Sequence, residues 1–203
     1  MGPRPAPSPP SSRAARSSGA LTAADLDAAL SAARGGNEAA FVVVYRAVHP
    51  GLVRYLRFLV GDDADDVASE TWAAVCRDLP SFRGEADQFR GWVATIGRNR
   101  AIDLLRARGR RPVDPVPAER LSVLADSADV EREVLDGLST RDALAVIATL
   151  PSDQAEAVLL RAVVGLDAAM AGAVLGKRPG AVRTSASRGL RTLRGRLEAG
   201  GAA

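Results

Sequence analysis

The last third of the chain, residues 150–197, has the apolar spacing of helices interrupted by one tight break. The segment Gly176-Lys177-Arg178-Pro179-Gly180 ends the apolar pattern, and a proline-free stretch rich in arginine follows it. At about 100° per residue, an α-helix would place the apolar side chains of this stretch on one narrow face: Val182, Ala186, Leu190, Leu193 and Leu197. The pattern therefore predicts two apolar-periodic helices, a short turn and a final helix with one buried face.

The predicted final helix also carries a cationic face. Arg183, Arg188, Arg191 and Arg194 spread over about 140° of the helical wheel beside the apolar face. A solvated charged face usually mixes both signs, but residues 176–197 contain no acid. A helix with one buried face and one cationic face, entered through a tight turn, fits a DNA major groove. The pattern favours DNA contact over an ordinary solvated helix.

The net charge of the chain is only +3, but the charges are segregated. Residues 98–111 hold six arginines against one aspartate, and residues 161–196 hold seven arginines and one lysine against one aspartate. Residues 61–90 and 113–142 each hold eight acids against three arginines. Two basic and two acidic blocks predict separate partners, a polyanion for the former and a cationic surface for the latter.

The chain offers little material for catalysis. It has one cysteine, Cys76, and one histidine, His49, so no internal disulfide and no cysteine–histidine zinc site can form. The helical spacing of Cys76 from Trp72 and Leu79 predicts a buried, inert thiol, and His49 is predicted to be structural. No nucleophile elbow, phosphate-binding loop or metal motif accompanies them. An enzyme with a helical lid is therefore disfavoured, and no cofactor or metal is expected.

The amino-terminal residues 1–20 are rich in proline and serine and lack the apolar centre of a signal peptide. No apolar run approaches the roughly 18 residues that a membrane span requires. We expect a disordered tail here, no membrane insertion and a cytoplasmic protein.

Capping residues divide the next segment into four predicted helices. Thr22, with Asp25 three residues later, resembles a capping box, and Asn37 can cap the second helix. Pro50 either kinks this second helix or marks a restart. The third and fourth helices are predicted over residues 62–79 and 88–108.

A proline-marked acidic stretch separates these helices from the last third of the chain, and no useful strand alternation occurs. The predicted fold class is therefore all-α, with two small helical domains joined by a flexible acidic linker. The predicted divisions are a disordered tail (1–20), a four-helix domain (21–110), the linker (111–140), a helix-turn-helix domain (141–197) and a tail (198–203).

The predicted fourth helix has a second face opposite its apolar one. That face brings together Trp92, Ile96, Asn99 and Asp103, flanked by Arg98, Arg100 and Arg106. An aromatic ring beside an amide and arginines suits stacking and hydrogen bonding to unpaired bases. Burial of the same face against the second helix would explain the pattern equally well.

Three segments resemble bacterial RNA polymerase sigma factors of the sigma-70 family, in the extracytoplasmic-function (ECF) group. Residues 65–72, DDVASETW, are similar to the family's acidic helix that docks on the polymerase β′ coiled coil. Residues 89–106 resemble its helix that recognises and melts the −10 promoter element. Residues 150–183 resemble its −35-binding helix-turn-helix. The segments follow the family's order and spacing and cover roughly residues 37–108 and 141–197.

The resemblance implies roles for three sets of side chains. Core polymerase would be bound by Asp65, Asp66, Ser69 and Glu70. The melted −10 strand would be held by Trp92, Arg98, Asn99, Asp103 and Arg106. The −35 duplex would be contacted by Lys177, Arg178, Arg183, Thr184, Ser187, Arg188 and Arg191.

Several positions depart from the family pattern. Ser69 stands where the family usually has glutamine, and Met170 stands where glutamate is common. Gly172 replaces a usual alanine within a helix, where glycine costs about 1 kcal/mol. Ser185 and Ser187 occupy recognition-helix positions that are often arginine and histidine, so the base preference at −35 is not predicted.

The partners implied are core RNA polymerase (its β′ coiled coil and β flap), promoter DNA and an anti-sigma factor. The alternative is a stand-alone helix-turn-helix transcriptional regulator, with residues 21–108 as a partner-binding or dimerisation domain. Such a regulator would bind duplex DNA without polymerase. It leaves the basic block at residues 98–111 and the acidic third helix unexplained.

Overall fold

The computed structural model describes residues 22–109 and 144–200, which contain helices and no strand. The all-α prediction is confirmed. The predicted tail over residues 1–20 and the linker over 111–140 lie outside the described residues. In the described ranges, no helix is both long and apolar enough to cross a membrane. We call residues 22–109 the first helical region and residues 144–200 the second.

The first helical region opens with two helices whose caps match the sequence prediction. Helix α1 (Ala23–Arg34) begins at Thr22, whose hydroxyl accepts from the Asp25 N–H while the Asp25 carboxylate accepts from the Thr22 N–H. Helix α2 (Glu38–Val60) begins at Asn37, whose side-chain oxygen accepts from the Ala40 N–H at 3.0 Å.

Helix α2 runs without interruption through Pro50. Proline removes one helical hydrogen bond, but Pro50 is exposed, where water can satisfy the carbonyl that loses its partner. Of the two possibilities that the sequence left open, the restart is excluded, because one helix spans Glu38–Val60. The helix buries a continuous apolar face: Val44, Val48, Leu52, Leu56 and Leu59.

Helices α3 (Ala64–Asp78) and α4 (Ala86–Ala107) complete the first helical region. Helix α3 begins two residues later than predicted, because residues 61–63 form a 3₁₀ turn. Helix α4 begins two residues earlier, because Glu85 and Gln88 form a reciprocal cap. These helices close a core around α2 that includes Val67, Val75, Phe89, Val93 and Ala101.

The environment predicted for Cys76 is wrong. Trp72, Val75 and Leu79 are buried, but the Cys76 thiol is exposed. The buried face of α3 is narrower than the spacing of apolar residues in the sequence suggested, and Cys76 lies just outside that face.

The second helical region contains the predicted helix-turn-helix. After a helical segment at residues 144–148 come α5 (Ser152–Val158), continued by a π-helical turn (Leu159–Val163), then α6 (Ala168–Leu175) and α7 (Pro179–Gly200). The carboxylate of Asp167 caps α6 by accepting from the Met170 N–H at 2.7 Å. Gly176 ends α6 in the left-handed conformation, at φ 64°, which glycine adopts without strain.

Helix α7 differs in two ways from its prediction. It extends to Gly200 rather than residue 197, because Glu198 and Ala199 favour helix. Its predicted buried face is also partly wrong, since Leu190 is 52% exposed whereas Val182 and Ala186 are buried. A Cβ added at Gly189 would lie 2.8 Å from Val158, so the contact with α5 is centred on the glycine rather than on Leu190.

The two regions pack against each other. Helix α4 lies against α6, and α2 lies against the π-helical turn after α5. This contact brings side chains of the predicted −10 helix next to the predicted −35 domain.

Candidate nucleic-acid and partner interfaces

The acidic face of α3 consists of Asp65, Asp66, Ser69 and Glu70, all exposed. The opposite side of the helix buries Val67, Thr71 and Val75 in the core, which fixes the acids toward solvent. Asp65 and Asp66 lie in the first turn, where the positive end of the helix dipole stabilises their negative charges.

Neighbouring arginines engage part of the acidic face. Arg57 Nη2 lies 3.4 Å from Asp65 Oδ2, and Arg100 Nη1 lies 2.8 Å from Glu70 Oε2. The Ser69 hydroxyl donates to the Asp65 carbonyl at 2.8 Å. Asp66 has no ion-pair partner among the residues that the structure describes. Asp66 is therefore the most available acid on this face.

The α4 surface comprises the predicted −10 residues Trp92, Arg98, Asn99, Asp103 and Arg106, which have different surroundings. Asn99, Asp103 and Arg106 are exposed, and Arg106 Nη1 lies 3.3 Å from Asp103 Oδ1. Trp92 is half-buried and stacks on Phe82, with ring centroids 4.9 Å apart and planes 25° apart.

One end of this face is packed against neighbouring side chains and the other end is exposed, so burial explains part of the face and base binding is open to the rest. Trp92 packs on Phe82 and on Phe89, which belong to the loop before α4 and to α4 itself. Ile96 is half-buried against the core, whereas Asn99 and Asp103 face solvent. The polar end of the face is free to meet a ligand, and its aromatic end is held in place by its neighbours.

Arg98 points into the contact between the two helical regions. Its Nε donates to Glu156 Oε2 at 2.9 Å, and the same oxygen accepts from the Tyr55 hydroxyl at 3.0 Å. Burial lowers the pKa of Arg98, but the hydrogen bond and charge of Glu156 outweigh it, so the pKa is raised. Burial, followed by the charge of Glu156, raises the pKa of Tyr55 well above its ordinary value, so the hydroxyl stays protonated and donates.

Sequence reasoning missed Glu156 and Tyr55. The available signal was Glu156 itself, the one charged residue within residues 155–160, which are otherwise apolar. An acid in such a segment indicates a buried partner of opposite charge, although the sequence does not say which.

The basic surface lies on α7 and the turn before it. Six of its predicted members are exposed: Arg178, Arg183, Thr184, Ser187, Arg188 and Arg191. The seventh, Lys177, is half-buried, and its Nζ lies 2.6 Å from Asp153 Oδ2. The Thr184 hydroxyl donates to the Gly180 carbonyl at 3.0 Å. The guanidinium groups therefore dominate what this surface offers to a ligand.

Comparison with protein families identifies the chain. The Sigma-70 region 2 model matches residues 44–111, and the Sigma-70 region 4 model matches residues 135–193. The ECF RNA polymerase sigma factor SigD of Mycobacterium tuberculosis strain H37Rv is 33% identical over 193 residues, covering 87% of this chain and 85% of that protein. The chain belongs to the ECF group of sigma factors.

Further similarities agree with this assignment. The ECF sigma factor ShbA of Streptomyces griseus is 35% identical over 160 residues, covering 74% of this sigma factor and 84% of its own length. A solved structure of CnrH, in complex with the cytosolic domain of CnrY, is 27% identical, with a TM-score of 0.57. The similarity covers 86% of this sigma factor and 99% of CnrH.

As a sigma factor, the protein is a transcription initiation factor that directs RNA polymerase to promoters. The stand-alone regulator is not favoured, because the region 2 match over residues 44–111 accounts for the acidic third helix and the basic block that such a regulator leaves unexplained.

Proposed function

We propose that the acidic face docks on the β′ coiled coil of core polymerase, the α4 surface captures the −10 strand, and the basic surface binds the −35 duplex. The observation that carries this proposal is the segregation of exposed charge. Acids gather on α3 in the first helical region, and guanidinium groups gather on α7 in the second. Each surface suits a partner of opposite charge.

Polymerase binding rests mainly on Asp66. Its carboxylate is exposed and without an ion pair in the described ranges, so a cationic partner binds it without breaking an internal contact. Glu70 and Asp65 would exchange Arg100 and Arg57 for polymerase groups. Exposed ion pairs are worth about 0–1 kcal/mol, so this exchange costs little. The Ser69 hydroxyl already donates within its own helix and adds little affinity.

The −10 strand is captured by the exposed end of the α4 surface. Asn99 offers an amide that can both donate to and accept from a base edge. Arg106 can exchange its exposed pair with Asp103 for a phosphate of the strand. Trp92, held by Phe82, provides an aromatic surface of the kind on which unpaired bases stack. The Phe82 loop, residues 80–84, acts as the support for Trp92.

The −35 duplex is bound by the start of α7. Arg178 and Arg183 are exposed near the amino-terminal end of this helix, which in helix-turn-helix proteins contacts base edges. Arginine on guanine is the commonest specific contact and discriminates by about 1–3 kcal/mol. Arg188 and Arg191, further along the helix, suit the phosphate backbone.

Other partners follow from this assignment. The second helical region would also contact the β flap of polymerase, and an anti-sigma factor would hold the protein inactive, as a protein partner occupies CnrH in its solved complex. The protein has no catalytic role of its own and takes no cofactor, and it acts in the cytoplasm, where polymerase and promoters are found.

Run-off transcription with purified core polymerase tests the proposal. The template is a sheared fragment library of the source genome, with and without this protein. We expect discrete transcripts only in its presence, with two shared upstream elements. Transcripts that do not depend on the protein, or a shift of duplex DNA without transcription, would reject the proposal.

A further inference from the structure

We propose that the free protein holds itself closed through a latch formed by Tyr55, Arg98 and Glu156, which withholds Arg98 from DNA and leaves the basic surface exposed. The closing of the protein stands on the geometry alone. The withholding of Arg98 rests on the proposed function of the α4 surface.

The latch joins three elements through one carboxylate. Glu156 lies on α5, Tyr55 on α2 and Arg98 on α4, and both donors meet the same oxygen, Glu156 Oε2. Glu156 is only 8% exposed, and Tyr55 is fully buried. Glu156 thus connects the second helical region to two helices of the first.

An ion pair that is largely but not fully removed from water, as this one is with the Arg98 side chain 22% exposed, is suited to a reversible contact. Its Coulomb attraction roughly offsets the cost of removing both charges from water, so the pair adds little net stability. Loss of one partner, however, leaves the other charge buried and unpaired, which is strongly unfavourable. The closed arrangement therefore depends on all three groups.

Two glycines allow the regions to approach closely enough for the latch to form. A Cβ at Gly51 on α2 would lie 3.0 Å from the backbone carbonyl oxygen of Val163 in the second region. A Cβ at Gly91 on α4 would lie 2.9 Å from the sulfur of Met170 on α6. The Gly51 contact is with backbone, which cannot turn aside as a methionine side chain can. Gly51 is therefore the more stringent requirement.

The closed state affects the two DNA-binding surfaces differently. Arg98 Nε is engaged by Glu156, so a phosphate or base must displace a carboxylate to reach it. The arginines of the basic surface are exposed in the same arrangement. The free protein should therefore bind duplex DNA through α7 before it binds an unpaired strand through α4. Opening of the latch makes the −10 surface complete.

Distances between spin labels test whether the latch closes the protein. One label is placed on the native Cys76 of α3, and the other on a cysteine that replaces the exposed Thr192 of α7. We expect a narrow distance distribution by double electron–electron resonance for the otherwise unaltered protein. Glu156→Gln, which removes the charge, should lengthen and broaden it. A broad distribution that Glu156→Gln leaves unchanged would overturn the latch.

A second variant, Gly51→Ala, keeps every charge, so the test does not depend on whether Glu156→Gln folds correctly. Gly51→Ala crowds the backbone contact with Val163 and should shift the protein toward separated regions, while alanine favours the interior of α2 more than glycine does. Its matched control is Gly195→Ala, at an exposed helical position where an added Cβ meets nothing within 4 Å. Gly195→Ala should leave the distances unchanged. A closed distribution for Gly51→Ala would contradict the proposed close approach.

Fluorescence anisotropy tests the withholding of Arg98, with fluorescein-labelled random 20-nucleotide DNA as a single strand and as a duplex. If about 90% of the protein is closed, opening raises single-strand affinity by up to about tenfold. Glu156→Gln and Gly51→Ala should both show this gain, with duplex affinity within about twofold of the unaltered protein.

The control for the lost charge is Glu38→Gln, at an exposed acid on α2, which should match the unaltered protein. Longer distances without a single-strand gain would overturn the withholding of Arg98. Failure of the proposed function itself is seen separately, as absence of protein-dependent run-off transcripts.

Discussion

At the scale of single residues, the availability of each charged group depends on its neighbours. Asp65 and Glu70 are paired with Arg57 and Arg100, whereas Asp66 is exposed and has no ion-pair partner in the described ranges. Three acids that look equivalent in the sequence are thus unequal in what they offer to a partner. Substitution of Asp66 should therefore reveal the polymerase contact most directly.

We expect Asp66→Arg to weaken binding of core polymerase by at least about tenfold, because it replaces an attraction with a repulsion at the interface. Combined with Glu70→Arg, it should abolish co-purification with core enzyme. The control is Glu38→Arg, which reverses an exposed acid in the first turn of another helix and should bind normally. Unchanged co-purification of the double variant, with helicity preserved by circular dichroism, would place the contact elsewhere.

Arg183 should act on promoter recognition alone. Arg183→Ala removes an exposed guanidinium near the start of α7, so it should reduce −35-dependent run-off transcription by about 5- to 150-fold, from a contact worth about 1–3 kcal/mol. Binding of core polymerase should not change. Arg194→Ala, at an exposed position six residues beyond Arg188, serves as the control and should transcribe nearly normally. Equal losses for the two variants would show that the register of the recognition helix is incorrect.

At the scale of elements, the helix-turn-helix depends on a close backbone approach at Gly172. A Cβ there would lie 2.6 Å from the Lys177 carbonyl oxygen, and the Lys177 N–H donates to the Gly172 carbonyl at 2.9 Å. The glycine that departs from the family pattern therefore fits a turn that closes tightly on α6. Glycine is a poor helix former at position 172, but the Lys177 carbonyl oxygen leaves no room for a Cβ there, which offsets that cost.

Gly172→Ala should lower stability although alanine is the better helix former. Propensity favours alanine by about 1 kcal/mol, but overpacking against backbone costs about 1–3 kcal/mol. We expect a lower midpoint of thermal unfolding for the second helical region. The same substitution at Gly195, in open space, should raise the midpoint slightly. Stabilisation by Gly172→Ala would mean that the turn relaxes without cost.

Elements defined by local chemistry were predictable from the sequence. Thr22 with Asp25, Asn37 and Gly176 all form the caps or breaks that their residue types favour, because these interactions span only a few residues. The three segments that carry the family resemblance were recognisable because each is a contiguous stretch of the sequence.

Features that depend on distant packing were not predictable. Cys76 and Leu190 are exposed because the buried arcs of their helices are set by where neighbouring helices lie. Glu156, which accepts from Arg98, lies 58 positions away in the sequence, and Tyr55, which donates to the same oxygen, comes from a different helix, so no local spacing brings these residues together. Sequence periodicity indicates which side of a helix is buried, but it does not say which residues of another helix that side meets.

At the scale of the whole molecule, the segregation of charge matters more for DNA binding than the small net charge of +3. A uniformly weak positive charge would bind DNA feebly and with little dependence on salt. Here, exposed arginines are concentrated on α7, while the acids of α3 lie on the other helical region. DNA therefore meets a local field much stronger than the net charge suggests.

This arrangement predicts a marked salt dependence for binding to duplex DNA. Each phosphate contact contributes about −0.9 to the slope of log affinity against log salt concentration, so the two proposed backbone contacts, Arg188 and Arg191, give roughly −1.8. Arg191→Ala should make the slope shallower by about 0.9, since one contact is lost. Arg161→Ala, which removes an exposed arginine from the π-helical turn, should leave it unchanged. Anisotropy titrations between 50 and 200 mM NaCl measure both slopes. A slope near zero, or equal changes for Arg161 and Arg191, would show that the basic surface does not act as a localised DNA contact.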